Sequence, residues 1–134
     1  MREILFRGKR IDNNEWIYGG ISIFRGITDM FDKDSIDNSC EQVFDWSVGQ
    51  FTGLLDKNGK QIFEGDVLKW KCSKSGRGKE KLYTVSIHWN TPNQHSYSLT
   101  IYSKGEKWAT SKSYWNASDR ELIGNIHDNP ELLT

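Results

Sequence analysis

The sequence predicts a mainly β protein with little helix, and three observations carry that prediction. Between Val48 and Val67, turn residues at Asp56-Lys57-Asn58-Gly59 and Glu64-Gly65-Asp66 punctuate short apolar runs. Tyr83, Val85, Ile87 and Trp89 alternate with Thr84, Ser86 and His88, and Tyr97, Leu99 and Ile101 repeat the period against Ser96, Ser98 and Thr100. A period of two is the mark of a half-buried strand. Six Trp, five Tyr and six Phe supply the core of a 134-residue chain, a length that suits one domain or a small barrel with a lesser β appendage.

Taken in order, the elements begin with a hairpin. Glu3 to Arg10 reads as a strand with Ile4 and Phe6 on one face, Asn13-Asn14 turns the chain, and Glu15 to Tyr18 returns with Trp16 and Tyr18 aligned. Ile21 to Phe24 extends this strand. From Asp29 to Glu41 the periodicity lapses and acid accumulates, so the segment reads as a loop with at most one helical turn and as the place where appendage gives way to barrel. Phe51 to Leu55 then faces Gln61 to Phe63 across a tight or bulged loop in which Gly59 supplies positive φ and Asp56 bonds the backbone two residues on. Val67 to Cys72 resumes as a strand after the Gly65 corner, a feature common in small barrels. The Tyr83 and Tyr97 strands form an antiparallel pair through Thr91 to His95, and Lys104-Gly105-Glu106 turns toward Trp108. Ser118-x-x-Glu121 has the form of a capping box, which allows one helical turn over Ala117 to Arg120. Leu122 to Ile126 closes the sheet, and Asn129-Pro130 ends regular structure.

Three stretches carry a family resemblance. Arg2-Glu3-Ile4-Leu5-Phe6-Arg7-Gly8, the series Val48-Gly49-Gln50-Phe51-Thr52-Gly53-Leu54 with Asp56-Lys57-Asn58-Gly59 and Glu64-Gly65-Asp66, and Leu122-Ile123-Gly124-Asn125-Ile126-His127-Asp128-Asn129-Pro130 together resemble the YopX family of small phage and prophage proteins. The three occur in order over the whole chain. Two departures remove no turn residue: Phe44-Asp45-Trp46-Ser47 stands where a more polar lead-in is common, and His127 where a Tyr is common. The resemblance implies an SH3-type barrel in the C-terminal part, so residues 47–134 are expected to form that domain and 1–46 the β-hairpin region with its acidic loop. It also implies a phage or prophage origin, and it brings no biochemical activity with it.

Composition excludes several function classes. The formal charge is zero, no run of about 18 apolar residues offers a membrane span, and the N-terminus lacks the basic-then-apolar form of a signal peptide. A cytoplasmic location in the bacterial host is expected. Cys40 and Cys72 read as free core thiols in a reducing compartment, and no Cys-x-x-Cys or His-x-x-x-His spacing suggests zinc. Asn116-Ala117-Ser118 matches a glycosylation pattern that this compartment makes irrelevant. No cofactor motif is present.

The neutral total hides a segregation of charge. Lys69, Lys71, Lys74, Arg77, Lys79 and Lys81 stand against the single acid Glu80, whereas Asp29, Asp32, Asp34, Asp37, Glu41 and Asp45 stand against the single base Lys33. The Ser and Gly content of Ser73 to Lys79 reads as a hairpin loop, without the spacing of a phosphate-cradling P-loop. Such a loop beside aromatic residues can follow a nucleic-acid backbone, can meet the acidic segment of the same or another copy, or can be a solvated surface with no partner. His88, His95 and His127 lie on separate elements, and no Gly-x-Ser-x-Gly elbow appears. Glu64, Asp66 and Asp128 could join in a hard-metal cluster if their corners met, although residues of this kind more commonly bond their own turns. The expected function is a non-enzymatic binding or accessory module for nucleic acid or for a host or phage protein. The alternatives are an assembly protein that self-associates and a small metal-dependent hydrolase.

Overall fold

The structure is a computed structural model that describes residues 4–37, 39–71, 80–91, 94–103, 106–112 and 120–133. The chain divides into two compact units, Met1–Phe51 and Thr52–Thr134. Both are antiparallel β structures, and the only helical elements among the described residues are two short 3₁₀ turns, Asp45–Ser47 and Pro130–Leu133. No described helix is long and apolar enough to cross a membrane.

The first unit is a sheet curled around an aliphatic core. β1 (Phe6–Lys9) pairs with β2 (Trp16–Phe24), β2 with β3 (Ile27–Asp32), and β3 with β4 (Cys40–Gln42), all antiparallel. On the other side of β1, Phe6 and Arg7 pair with Gln50 and Gly49 at the start of β5 (Gly49–Leu55). The register sets Phe6 and Gly8 on the same face as Ile17 and Ile21, and that face buries Ile17, Met30 and Val43 with Phe6, Ile21 and Val48 packed around them. Beyond β4 the chain swings back to β1. The Val43 N–H donates to the Thr28 carbonyl at 3.0 Å and the Phe44 N–H to the Lys9 carbonyl at 2.9 Å, which makes an Arg10↔Val43 bridge. One bridge curls the sheet without closing it into a barrel. The buried Ser47 holds the junction, since its hydroxyl donates to the Phe44 carbonyl at 2.6 Å and accepts the Lys9 N–H at 2.8 Å.

The expected N-terminal hairpin is present, but the Asp29–Glu41 segment is corrected. Its two ends are strand, residues 29–32 in β3 and 40–41 in β4, with turn and bend over 33–37 between them, and the 3₁₀ turn lies just beyond it at Asp45–Ser47. The misreading has a physical cause. The core-facing positions of β3 are Thr28 and Met30, while Ile27 and Phe31 lie on the outer face at 48% and 42% exposure, so the apolar residues fall out of phase with burial. Arg25 and Gly26 make the reversal with φ of 51° and 78°, closed by the Phe24↔Ile27 pair. Two successive positive φ values are those of a type I′ hairpin, which Arg-Gly announces less plainly than Asn-Gly.

In the second unit, the end of β5 lies beside β6 (Gln61–Phe63), and a five-stranded sheet runs in the order β10-β9-β8-β7-β11. Its members are β7 (Asp66–Lys71), β8 (Glu80–Thr91), β9 (Gln94–Ser103), β10 (Glu106–Lys112) and β11 (Glu121–Asn125). The expected alternation appears in the register, which sets Tyr83, Val85, Ile87 and Trp89 opposite Ile101, Leu99, Tyr97 and His95. Ile62, Phe63, Val67 and Leu68 are buried. The helical turn expected over Ala117 to Arg120 falls at 117–119 outside the described residues. Pro130 opens the terminal 3₁₀ turn where regular structure was expected to stop.

The Asp56 loop locks the second unit. Gly59 at φ 80° and the Gly59 N–H bond to the Asp56 carbonyl at 3.0 Å make the bulged three-residue loop. The Asp56 side chain, 4% exposed, accepts the N–H groups of Asn58 at 2.9 Å and Lys60 at 2.8 Å on Oδ1, and that of Leu122 at 3.0 Å on Oδ2. Lys57 donates its N–H to the Arg120 carbonyl at 2.8 Å. Burial alone pushes the Asp56 carboxyl up. The N–H groups of Leu122, Lys60 and Asn58, with the Lys60 charge, outweigh it and hold the group below the usual carboxylate range.

Two stability measurements test this account. A Cβ on Gly19 would run into the Phe31 carbonyl, whereas one on Gly20 meets nothing within 4 Å. Gly19→Ala should therefore cost about 1–3 kcal/mol in urea denaturation and Gly20→Ala should be neutral or gain roughly 0.5 kcal/mol; equal effects would contradict the close approach. Asp56→Asn leaves one acceptor oxygen for three donors and should cost about 1–3 kcal/mol at neutral pH. Because the folded carboxyl titrates below its unfolded value of about 3.9, its stabilisation is complete above that value and disappears as pH falls through the folded one. The wild type should thus lose its advantage over Asp56→Asn as acid is added, and a constant gap from pH 7 to 2 would refute the assignment.

Candidate functional site

The basic run is organised by two paired strands. β7 and β8 run antiparallel from Val67↔Thr84 to Lys71↔Glu80, with Trp70 opposite Lys81. Lys69 is half-buried on β7, between Leu82 on one side and Glu121 on the other. Lys69 and Lys71 occupy register positions on one face and Lys81 on the other, while Lys74, Arg77 and Lys79 fall in the connection, outside the described residues. Lys69, Lys71 and Lys81 are therefore brought onto one hairpin, but the strand pleat divides them between two faces. Glu80, the one acid of the run, sits opposite Lys71 at the last rung.

Three of the six acidic residues lie together in the first unit, in a cleft that also holds Arg10, a cation that sequence reasoning missed. Asp32, Asp34 and Glu41 join Glu15 and Arg10 in lining an open cleft of about 390 Å³ in the first unit. The Arg10 guanidinium grips Asp12 bidentately, Nε to Oδ1 at 3.0 Å and Nη2 to Oδ2 at 2.7 Å, and reaches the Glu41 carboxylate at 3.3 Å. The hydrogen bond from Arg10 holds the Asp12 carboxyl below its ordinary value and, reciprocally, raises that of Arg10. The Arg10–Asp12 pair is local, two residues apart, but Glu41 and the Asp32–Asp34 stretch come from distant parts of the chain that no local spacing announces. Asp45 lines a smaller cleft of about 200 Å³ with Ile11, Thr28 and Val43.

A second cluster also escaped the sequence reading. The Arg7 guanidinium lies 4.6 Å and the Lys9 ammonium 5.4 Å from the centre of the Trp16 ring, within cation–π range. The signal was available in the hairpin register, which sets Lys9 opposite Trp16 and Arg7 opposite Tyr18. Cys40 is exposed on the short β4 strand, which corrects the expectation of a core thiol; Cys72 lies outside the described residues.

The two acidic corners do meet. The Ile126 N–H donates to the Gly65 carbonyl at 2.9 Å, and a Cβ on Gly65 would stand 3.6 Å from the His127 ring. Their side chains are engaged in the turns themselves. Asp66, 1% exposed, accepts the Phe63 N–H at 2.7 Å, and Asp128 accepts the Asn125 amide at 3.1 Å. The Asn125 oxygen in turn takes the N–H groups of His127 at 3.0 Å and Asp128 at 2.8 Å. Among the described residues no group of three or more His, Cys, Asp or Glu side chains is arranged to hold a metal ion.

Comparison with known proteins adds fold and family. No curated protein matches the chain. The crystal structure of protein EF1440 from Enterococcus faecalis is similar, with a TM-score of 0.51 and 21% identity over 100% of both chains, a likeness of fold alone. Residues 5–134 match the family model described as YopX protein, and the chain belongs to the YopX family.

Proposed function

We propose that this protein is a non-enzymatic binding module of phage or prophage origin, active in the bacterial cytoplasm, whose ligand is a nucleic-acid strand held through its phosphates. The observation that carries the reading is that all six cations of the basic run lie on, or in the connection between, two strands paired rung by rung as far as Lys71↔Glu80. In this reading residues 47–134 form an SH3-type barrel, and the β7–β8 connection is its phosphate-following loop. Lysines and arginines on such a loop act by displacing counterions, which gives affinity with little sequence preference. The engagement of Asp66 and Asp128 in their own turns weighs against the hydrolase alternative built on Glu64, Asp66 and Asp128. A host or phage protein bound through the same cations is the competing occupant.

The test is fluorescence anisotropy with labelled single- and double-stranded oligonucleotides across a salt series. The wild type should bind at low salt and weaken steeply as salt rises. Changing Lys74, Arg77 and Lys79 together to Ala should reduce the log–log salt slope by about 2–3, from three lost phosphate contacts at roughly 0.7–0.9 each. An absence of binding at low salt, or an unchanged slope in the triple variant, would exclude the proposal. Capture of a protein from lysogenic cells that survives nuclease treatment and needs these three residues would favour the competing occupant.

A further inference from the structure

From the edges of the five-stranded sheet we infer that a second copy of this chain pairs antiparallel along β10, in a register centred on Ala109. The inference is independent of the nucleic-acid reading.

The two terminal strands of the sheet are treated differently. At β11, the side away from β7 is covered by the Asp56 loop: the Lys57 N–H occupies the Arg120 carbonyl and the Asp56 carboxylate occupies the Leu122 N–H. β11 also carries a register shift between Leu122 and Gly124. Covering loops and bulges are standard protection against edge-to-edge pairing. β10 stands at the other end of the order. It is seven residues long and pairs with β9 without a break, from Glu106↔Ser103 to Lys112↔Tyr97. It contains no proline, and among the described residues no strand pairs with its second edge.

The sequence of β10, Glu106-Lys107-Trp108-Ala109-Thr110-Ser111-Lys112, matches its own reverse in one register. An antiparallel pair centred on Ala109 uses all seven positions and sets Glu106 of each copy opposite Lys112 of the other, Lys107 opposite Ser111, and Trp108 opposite Thr110. Two-fold symmetry makes the Glu–Lys match twice. A slip of one residue in one direction sets Lys107 opposite Lys112, and a slip in the other leaves Glu106 opposite Ser111. Opposite charges directly across a pair of strands stabilise and like charges destabilise, so one alignment is favoured over its neighbours. Lysines on an edge ordinarily repel strange strands; here they would exclude other partners while admitting the matched one.

Sedimentation velocity on the full chain over a concentration series, with circular dichroism to confirm folding, tests the pairing. The wild type should show a monomer–dimer equilibrium. Lys112→Glu alone and Glu106→Lys alone should each raise the dimer dissociation constant roughly tenfold by placing like charges across the pair. The double variant Glu106→Lys/Lys112→Glu should return to within about threefold of the wild type. A chain that stays monomeric at every concentration, a dimer that ignores both single reversals, or a double variant no better than the singles would each overturn the inference. So would a dimer that is lost when Lys74, Arg77 and Lys79 become Ala, because it would then be held by the basic loop.

Discussion

The Asp56 carboxylate is the contact on which the second unit depends. Two of its three hydrogen bonds are local, to Asn58 and Lys60, and shape the loop; the third reaches Leu122, sixty-six positions along the chain. A turn that would form in many short peptides thereby becomes a long-range tie between the β5–β6 hairpin and β11. The bonds belong together, since the loop must present Oδ2 to β11 for the Lys57 N–H to meet the Arg120 carbonyl. A neutral amide of the same shape cannot serve, because one of its two ends is a donor facing donors.

The first unit reaches a comparable closure with neutral groups. There the tie is the short length of backbone around Val43, which bonds to Thr28 on one side while the next residue bonds to Lys9 on the other. Ser47 satisfies the polar atoms that this junction would otherwise bury. In both units a residue that looks like turn punctuation bridges elements distant in sequence. Such residues are constrained by polar satisfaction and not by volume, because an unmet buried donor costs more than a typical hydrogen bond contributes.

That distinction explains what the sequence revealed. Asp56, Gly59 and Gly65 were legible because their demands are local: a positive φ or a bond two residues on is written in the residue type. The alternation from Tyr83 to Trp89 was legible because its period matches the register of β8 and β9. β3 was not, since its core side carries Thr28 and its outer side Ile27 and Phe31, inverting the rule by which period is read. At the candidate site, the basic run was visible as composition, while Ser73 to Lys79, read as a hairpin loop from its Gly and Ser content, lies outside the described residues. The wider Arg10 cluster was invisible because Asp32 and Glu41 reach the Arg10–Asp12 pair only through the pairing of β2, β3 and β4.

The two proposed interactions draw on different parts of the second unit, the cations of the β7–β8 run and the backbone along β10. These two surfaces have different physical signatures. Phosphate binding by several cations falls steeply with salt through counterion release. Strand pairing draws on main-chain hydrogen bonds, and its two Glu–Lys matches add only a modest salt-sensitive part. Geometry separates them further. The two-fold axis of an antiparallel edge pair stands perpendicular to the sheet and reverses strand direction, so the β7–β8 connections of the two copies leave the sheet at opposite rims. Two sites so placed cannot both engage one short strand, and the avidity expected of linked sites is lost when geometry forbids simultaneous binding. A dimer of this kind would therefore hold two nucleic-acid segments independently, with the affinity of each site for a short oligonucleotide indifferent to whether β10 is paired.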